Sequence, residues 1–463
     1  MLLEEEEEEE DGMLIRGIVT PLPLHRCSST PHITNLPPAF LPQDARIKPP
    51  FFRSTLFQIL TVGLCAFCAP GIWSAMNGLG VGDSQSPNLV NAANALLYAF
   101  MTITCFLGPF LTNAIGFRYT LSLGSIGYPL YAAGLYLNNR TGATWLVYLG
   151  SVAVEGAIAT GYPEDRKRGR YIATWFSFRN FGNVIGGAIS LGINHDMDGK
   201  GKVGYQTYQG FIAIQCLGLV IGLFLSNPEK VVRDDGTSIQ QPTTSDGEGR
   251  ESIYWKTEVK AMWERAKSKP ILLLTPLFWY FGWIQAYPGT YLATYFTVRS
   301  RALGSFLSAI VGTIATWLGG SLVDLPWTKD RKVRAVSTWV VIAFLNSATW
   351  IWAVIIQNEY QRTNPVLDWG DQSSFGRGFG LYLFERISLA DSPGEQIRYS
   401  SLLRGIETAG VAVGFGVQAI PTVLIATASI NFGLWFFALP FSFWATLQVV
   451  RKFEEGKGSH IIA

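Results

Sequence analysis

The chain is a succession of apolar stretches, each about 20 residues long, that begins near residue 53 and is interrupted by polar loops. A helix of that length crosses the hydrocarbon core of a bilayer. Only 15% of the residues are charged, against about 25% in a soluble domain. We therefore predict an all-α protein embedded in the lipid bilayer, with twelve spans at residues 54–77, 90–114, 119–137, 144–161, 171–193, 205–226, 270–293, 302–325, 335–357, 379–390, 400–419 and 422–448.

Two of these spans are weak. The fourth is barely long enough and contains Glu155, and the tenth has only about twelve residues that suit a bilayer. Either the two helices are short, or the gene model lacks part of an exon.

The distribution of charge predicts the topology. Residues 1–50 contain seven consecutive glutamates, Glu4 to Glu10, and a proline-rich segment, which is typical of a disordered cytosolic tail and not of a signal peptide. With both termini in the cytosol, 25 Lys and Arg side chains from Arg46 onward fall on the cytosolic side and 7 on the outer side. This bias follows the positive-inside rule, so residues 451–463 form a second cytosolic tail.

The longest polar interruption, residues 227–269, divides the spans into two sets of six, at residues 51–226 and 270–450. Two six-helix halves joined by a cytosolic linker are the plan of the major facilitator superfamily, whose halves are repeats of one another. An offset of 228 residues relates Arg179 to Glu407, and it also relates Gly182 and Gly186 to Gly410 and Gly414. Spans five and eleven are thus predicted to be copies of one element.

A series of short motifs narrows the family. It runs from Pro70-Gly71-Ile72-Trp73 through Asn91-Ala92-Ala93-Asn94 and Gly127-Tyr128-Pro129 to Arg299-x-Arg301-Ala302-Leu303. In this order the motifs resemble the fungal UNC-93-like (ion-channel regulatory protein-like) branch of the major facilitator superfamily. The resemblance implies a transporter, an ion-channel regulatory subunit or a trafficking chaperone.

Ionised side chains are costly at the centre of a membrane helix and mark a cavity or a partner. We expect a central cavity lined by Glu155, Arg179, Glu407, Asn77, Asn94, Asn180 and Asn183. Helical rise places Glu155 and Arg179 at the same depth of adjacent spans. Their contact is either a proton-coupled switch or a permanent salt bridge. Glu385 and Arg386 are interpreted as an interfacial ion pair.

A second set of residues resembles a cytosolic gate. Asp324 ends span eight and is followed by Arg331, Lys332 and Arg334, and Arg118 stands in the related loop after span two. An acid at a helix end can hold basic groups until a rearrangement breaks the contact. Alternatively, these basic residues only anchor the topology.

The remaining classes of function are less well supported. No ATP-binding loop is present, and four histidines in the chain argue against a membrane enzyme. The scattered basic residues do not indicate a nucleic-acid partner, and no motif indicates a cofactor or a metal. Three hypotheses stay open: a secondary transporter of an unknown small molecule or ion, a non-transporting accessory subunit or chaperone of another membrane protein, and an integral-membrane enzyme, which the small number of histidines disfavours.

Overall fold

The computed structural model describes the backbone over residues 51–79, 87–115, 117–153, 168–226, 260, 263–264, 266–324, 331–388, 401–421 and 424–458. Within these ranges the chain forms twelve α-helices and a short 3-10 helix at Phe51–Arg53, and Phe296 pairs with Leu367 in an isolated parallel β-bridge. The helices of the first half are α1 (Thr55–Gly78), α2 (Pro87–Ile115), α3 (Phe117–Thr141), α4 (Trp145–Ala153), α5 (Arg168–Asn194) and α6 (Tyr205–Gly222).

The second half contains α7 in two segments (Lys269–Trp283 and Ala286–Tyr295), α8 (Val298–Asp324), α9 (Arg331–Thr363), α10 (Gln372–Ser388), α11 (Ser401–Ala419) and α12 (Leu424–Gly458). The tenth helix begins seven residues before its predicted start, so it is longer than the sequence indicated. The last helix continues into the predicted C-terminal tail. The predicted end of span four lies outside the described residues.

The helices of the two halves pack in the same order. In the first half α1 packs on α5, α2 on α4 and α3 on α6, and in the second half α7 packs on α11, α8 on α10 and α9 on α12. The halves meet where α2 contacts α11 and where α5 contacts α8. Adding six to each helix number converts one pattern into the other, as two repeats related by a pseudo-twofold axis require.

Glycines set the closest helix contacts, and these contacts repeat too. A Cβ on Gly71 of α1 would lie 2.7 Å from the carbonyl oxygen of Arg179, and a Cβ on Gly282 of α7 would come still closer to that of Glu407. Small residues allow such backbone approaches in membranes. The backbone carbonyl groups of Arg179 and Glu407 therefore pack against glycines that lie at corresponding places of α1 and α7.

Helix α1 is interrupted by a π-helical turn, Phe67–Gly71, that contains Pro70. Proline removes a backbone donor and clashes with the preceding turn, so it kinks a helix at this point. By length and apolarity alone, three helices in the described part can cross a membrane: Thr55–Gly78, Lys332–Thr363 and Leu424–Gln448.

Candidate functional site

A network of buried amides joins the first three helices. The Nδ2 of Asn94 donates to Oδ1 of Asn77 at 3.0 Å, and the hydroxyl of Tyr131 donates to Oδ1 of Asn94 at 2.8 Å. Asn77 also donates to the carbonyl oxygen of Trp73 at 3.1 Å. Asn94 is 1% exposed, so its amide is satisfied by protein partners instead of water. The network fixes α1, α2 and α3 against one another.

A second polar group lies on the other half. Arg404 donates through Nη1 to both carboxylate oxygens of Glu407 at 2.7 Å, and Gln285 of α7 lies 3.4 Å from Oε1. Residues three apart on a helix share a face, which allows this pair to form within α11. The carboxylate of Glu407 is almost buried, and its negative charge is balanced by Arg404 of the same helix.

Tyr98 of α2 lies between these groups. Its ring stacks on Phe415 of α11 with 5.8 Å between centroids and meets the edge of Trp73 at 6.1 Å. The charges of Arg179, Arg404 and Glu407 all fall within electrostatic reach of its hydroxyl. Tyr98 therefore marks the point where both halves direct polar groups toward one region, which we call the central site.

The predicted cavity residues have different places in the structure. Asn77, Arg179, Asn180 and Asn183 are half-buried, and Asn94 and Glu407 are buried. Glu155 lies outside the described residues, so the Glu155–Arg179 contact stays a prediction. Glu407 was expected to enter the central cavity from the second half, which stays a prediction; in the structure its carboxylate contacts Arg404 and Gln285.

The interpretation of Glu385 and Arg386 as an interfacial ion pair is wrong for the described structure. Glu385 is 2% exposed in the core of the second half. The guanidinium carbon of Arg386 lies 5.3 Å from the ring centroid of Tyr382. Consecutive residues on a helix do not face each other, so the two side chains separate.

The predicted cytosolic gate is described only in part. Asp324 is the last residue of α8, and Arg331 is the first residue of α9. Lys332 is exposed and Arg334 is half-buried at the start of the same helix. The side chains of Asp324, Arg331 and Arg118 lie outside the described part, so the latch also stays a prediction.

The sequence did not reveal a cluster at the opposite end of the bundle, the predicted outer face. Here the backbone N–H groups of Val298 and Arg299 donate to the carbonyl oxygens of Gly199 and Met197, both at 3.0 Å, and Arg301 donates to that of Gly201 at 2.6 Å. The acceptors belong to the α5–α6 loop and the donors to α8. We call this contact between the two halves the outer clamp.

An ion pair supports the outer clamp. Arg299 binds Asp368 through two nitrogens, with Nε 2.8 Å from Oδ1. Thr297 and the backbone N–H of Gly370 also donate to this carboxylate. The guanidinium of Arg299 and these hydrogen bonds hold the pKa of Asp368 well below its usual range, so the pair stays ionised through the whole physiological range.

The comparisons with known proteins follow this geometry. A family model described as "Ion channel regulatory protein UNC-93" matches residues 91–360. The chain is 35% identical over 415 residues to the Notoamide biosynthesis cluster protein O' of Aspergillus versicolor, covering 84% of this chain and 87% of that protein. UNC93-like protein 1 of Arabidopsis thaliana is 27% identical, with 83% and 88% covered.

Solved structures agree on the fold. The xylose transporter XylE from E. coli superimposes with a TM-score of 0.52 at 14% identity, covering 84% of this chain and 98% of that one. A POT family transporter in complex with 5-aminolevulinic acid gives 0.54 at 12%, with 85% and 95% covered. The helix order and these likenesses define an integral membrane protein of the major facilitator fold, built as two six-helix bundles. Within that class, the chain belongs to the UNC-93 family.

Proposed function

We propose that the chain is a secondary transporter that moves a small solute or ion across a membrane by alternating access. The observation that carries this proposal is the central site, where Arg179 of the first half and Arg404 and Glu407 of the second half lie within electrostatic reach of Tyr98. Polar groups inside a membrane bundle are retained where they line a path or bind a partner. The family and the fold support the same conclusion.

The outer clamp favours a state that is closed on the predicted outer face. Lys200 of the first half lies 3.3 Å from the carbonyl oxygen of Pro365 of the second half. Ser305 of α8 donates to the carbonyl oxygen of Ala75 of α1 at 2.8 Å. For alternating access these contacts must break, because they join the halves that have to rock apart.

The substrate class is narrowed only by a relative's name. The 35% identical protein is named as a member of a biosynthesis cluster, which favours an organic molecule over an inorganic ion as the solute. We propose that Arg179 and Glu407 face this solute with Asn77, Asn94, Asn180 and Asn183. Glu155 would then couple a proton to its movement, with both termini in the cytosol.

A reversible crosslink of the outer clamp tests transport without requiring that the solute be identified. In a chain with its native cysteines replaced, Lys200→Cys and Pro365→Cys are bridged by a short bifunctional methanethiosulfonate reagent. Metabolite accumulation in cells or vesicles should stop on bridging and recover on reduction. The matched control, Lys202→Cys with Arg140→Cys, bridges two sites of the first half, since Lys202 donates to the carbonyl oxygen of the adjacent Asn139.

An accessory role is the alternative that the family description favours. A subunit that regulates a channel needs no rocking, so its effect on the partner should survive the bridge. Accumulation that is unchanged in the bridged protein, together with retention of a channel in affinity purification, would support this role and refute transport. Loss of accumulation in the control pair as well would show that the bridge acts by general distortion, which removes the support for the outer clamp.

A further inference from the structure

The second half contains a buried acid that the central site does not use. Glu385 of α10 is 2% exposed, and its Oε1 has no hydrogen-bond partner in the described structure. No salt bridge within that structure involves it, and the guanidinium of Arg386 is directed onto Tyr382. An ionised carboxylate is disfavoured in such a place, because burial removes its hydration and the charge of Arg386, which makes no hydrogen bond to it in the described structure, offsets only part of that loss.

The ionisable neighbours of Glu385 are nearly all tyrosines. Tyr280, Tyr287 and Tyr291 of α7 lie within electrostatic reach of its carboxyl. On α10 itself the neighbours are Tyr382 and Arg386. Helices α8 and α9 pack against α10, and neither residues 302–323 nor residues 335–358 include an ionisable side chain. The surroundings therefore favour a neutral carboxyl that can donate its proton.

A row of tyrosines connects this region to a surface cavity. The hydroxyl of Tyr295 donates to Oε1 of Gln357 at 3.2 Å, and Nε2 of Gln357 donates to the hydroxyl of Tyr287 at 2.7 Å. The rings of Tyr287 and Tyr291 stack at 5.9 Å. Tyr295 and Tyr360 line a cavity of about 320 Å³ near the predicted outer face, together with Thr290, Gln361, Asn364 and Gln418.

We propose that Glu385 is a proton-binding site in the core of the second half and exchanges its proton with the tyrosine-lined cavity. The O–H bond of the carboxyl breaks on release, and the proton passes to water in the cavity. The site is separate from the central site, and its protonation does not depend on whether the chain transports a solute.

Carbodiimide labelling of the full-length purified protein tests the site. Dicyclohexylcarbodiimide is apolar, and the O–H of a protonated carboxyl adds across one of its C=N bonds to give a product that rearranges to a stable N-acylurea. Peptide mass spectrometry should show Glu385 modified at acid pH and tenfold or more less modified at alkaline pH. Glu359, which is exposed and lies 2.8 Å from Arg377, is the matched control and should stay unmodified.

Infrared difference spectroscopy provides a second measurement that does not depend on reagent access. The carbonyl band of a protonated carboxyl should be present in the parent and absent in Glu385→Gln, a substitution that keeps the shape of the neutral acid. A parent without this band, or a band that the substitution leaves intact, would overturn the site. Labelling of Glu385 that does not change with pH would also overturn it.

The route is tested by the rate of exchange. After a jump to alkaline pH, the carbonyl band should decay several-fold more slowly in Tyr287→Phe than in the parent. Tyr205→Phe removes an exposed hydroxyl in the other half and should leave the rate unchanged. Equal decay in the parent and in Tyr287→Phe would overturn the tyrosine route.

Discussion

The contact between α7 and α11 leaves no room for a side chain at Gly410. We therefore predict that Gly410→Ala lowers the stability of the protein. A Cβ at this position would lie 2.5 Å from the carbonyl oxygen of Trp279, well inside van der Waals contact. The obstacle is backbone, so it cannot rotate away as a side chain would. Gly410→Ala must therefore push the two helices apart, one turn from Glu407.

The size of the effect follows from two opposing contributions. Overpacking a tight site costs about 1–3 kcal/mol, whereas replacing glycine by alanine inside a helix gains about 0.5–1 kcal/mol. Gly416 lies on the same helix, and a Cβ there meets nothing within 4 Å, so Gly416→Ala should show the gain alone. The two variants are expected to differ by about 1–3 kcal/mol, with Gly410→Ala the less stable.

The assay is the fraction of detergent-solubilised protein that stays monodisperse after heating, measured by fluorescence-detected size exclusion. It reports kinetic stability, so the variants are compared at one temperature and one heating time. The internal repeat supplies a second pair: a Cβ on Gly182 would collide with the carbonyl oxygen of Phe67, while one on Gly192 meets nothing. If Gly410→Ala survives heating as well as Gly416→Ala, the proposed helix contact is wrong.

Three further predictions concern hydrogen bonds. Asn94→Leu leaves its partners on α1 and α3 unsatisfied and should lower stability by about 1–3 kcal/mol in the same heating assay. Asp368→Asn should raise hydrogen–deuterium exchange over the start of α8. In the parent the protection should persist from pH 8 to about pH 5. The pKa of Asp368 is lower in the folded protein than in the unfolded chain, where it lies near 4. The ion pair therefore stabilises the fold fully above the unfolded pKa, and this stabilisation is lost only as the pH falls through the pKa of the folded state. The hydroxyls of Thr102 and Thr408 lie 3.0 Å apart across the two halves, so a double-mutant cycle with valine should give a coupling of about 0.5–1.5 kcal/mol.

The parts that sequence reasoning predicted are those governed by local physical rules. In lipid every backbone polar group needs an internal partner, so apolar stretches of sufficient length become helices. The glycine spacing on spans five and eleven also predicted close helix contacts, because a residue without a side chain allows the backbones of two membrane helices to approach. Gly182 and Gly410 indeed contact α1 and α7 at equivalent places.

The parts that it missed depend on contacts between distant residues or on the backbone. Asp368 lies 69 residues from Arg299, and the carbonyl groups that complete the outer clamp have no signature in residue type. Arg404 was counted only as a charge that sets topology. Its spacing of three residues from Glu407 was the available signal for their ion pair.

The charges of the central site indicate how the proton and the solute would move relative to each other in the proposed mechanism. The repeat places Arg179 and Glu407 at equivalent positions of α5 and α11, with opposite charge. Since Arg404 already balances Glu407, the three side chains together carry one net positive charge. In the proposed mechanism an ionised Glu155 would neutralise Arg179, and its protonation would restore the positive charge. Proton binding at Glu155 would then draw an anionic or electron-rich group of the solute toward Arg179, because a charge in a low-dielectric site needs a counter-charge. Proton and solute would therefore move in the same direction.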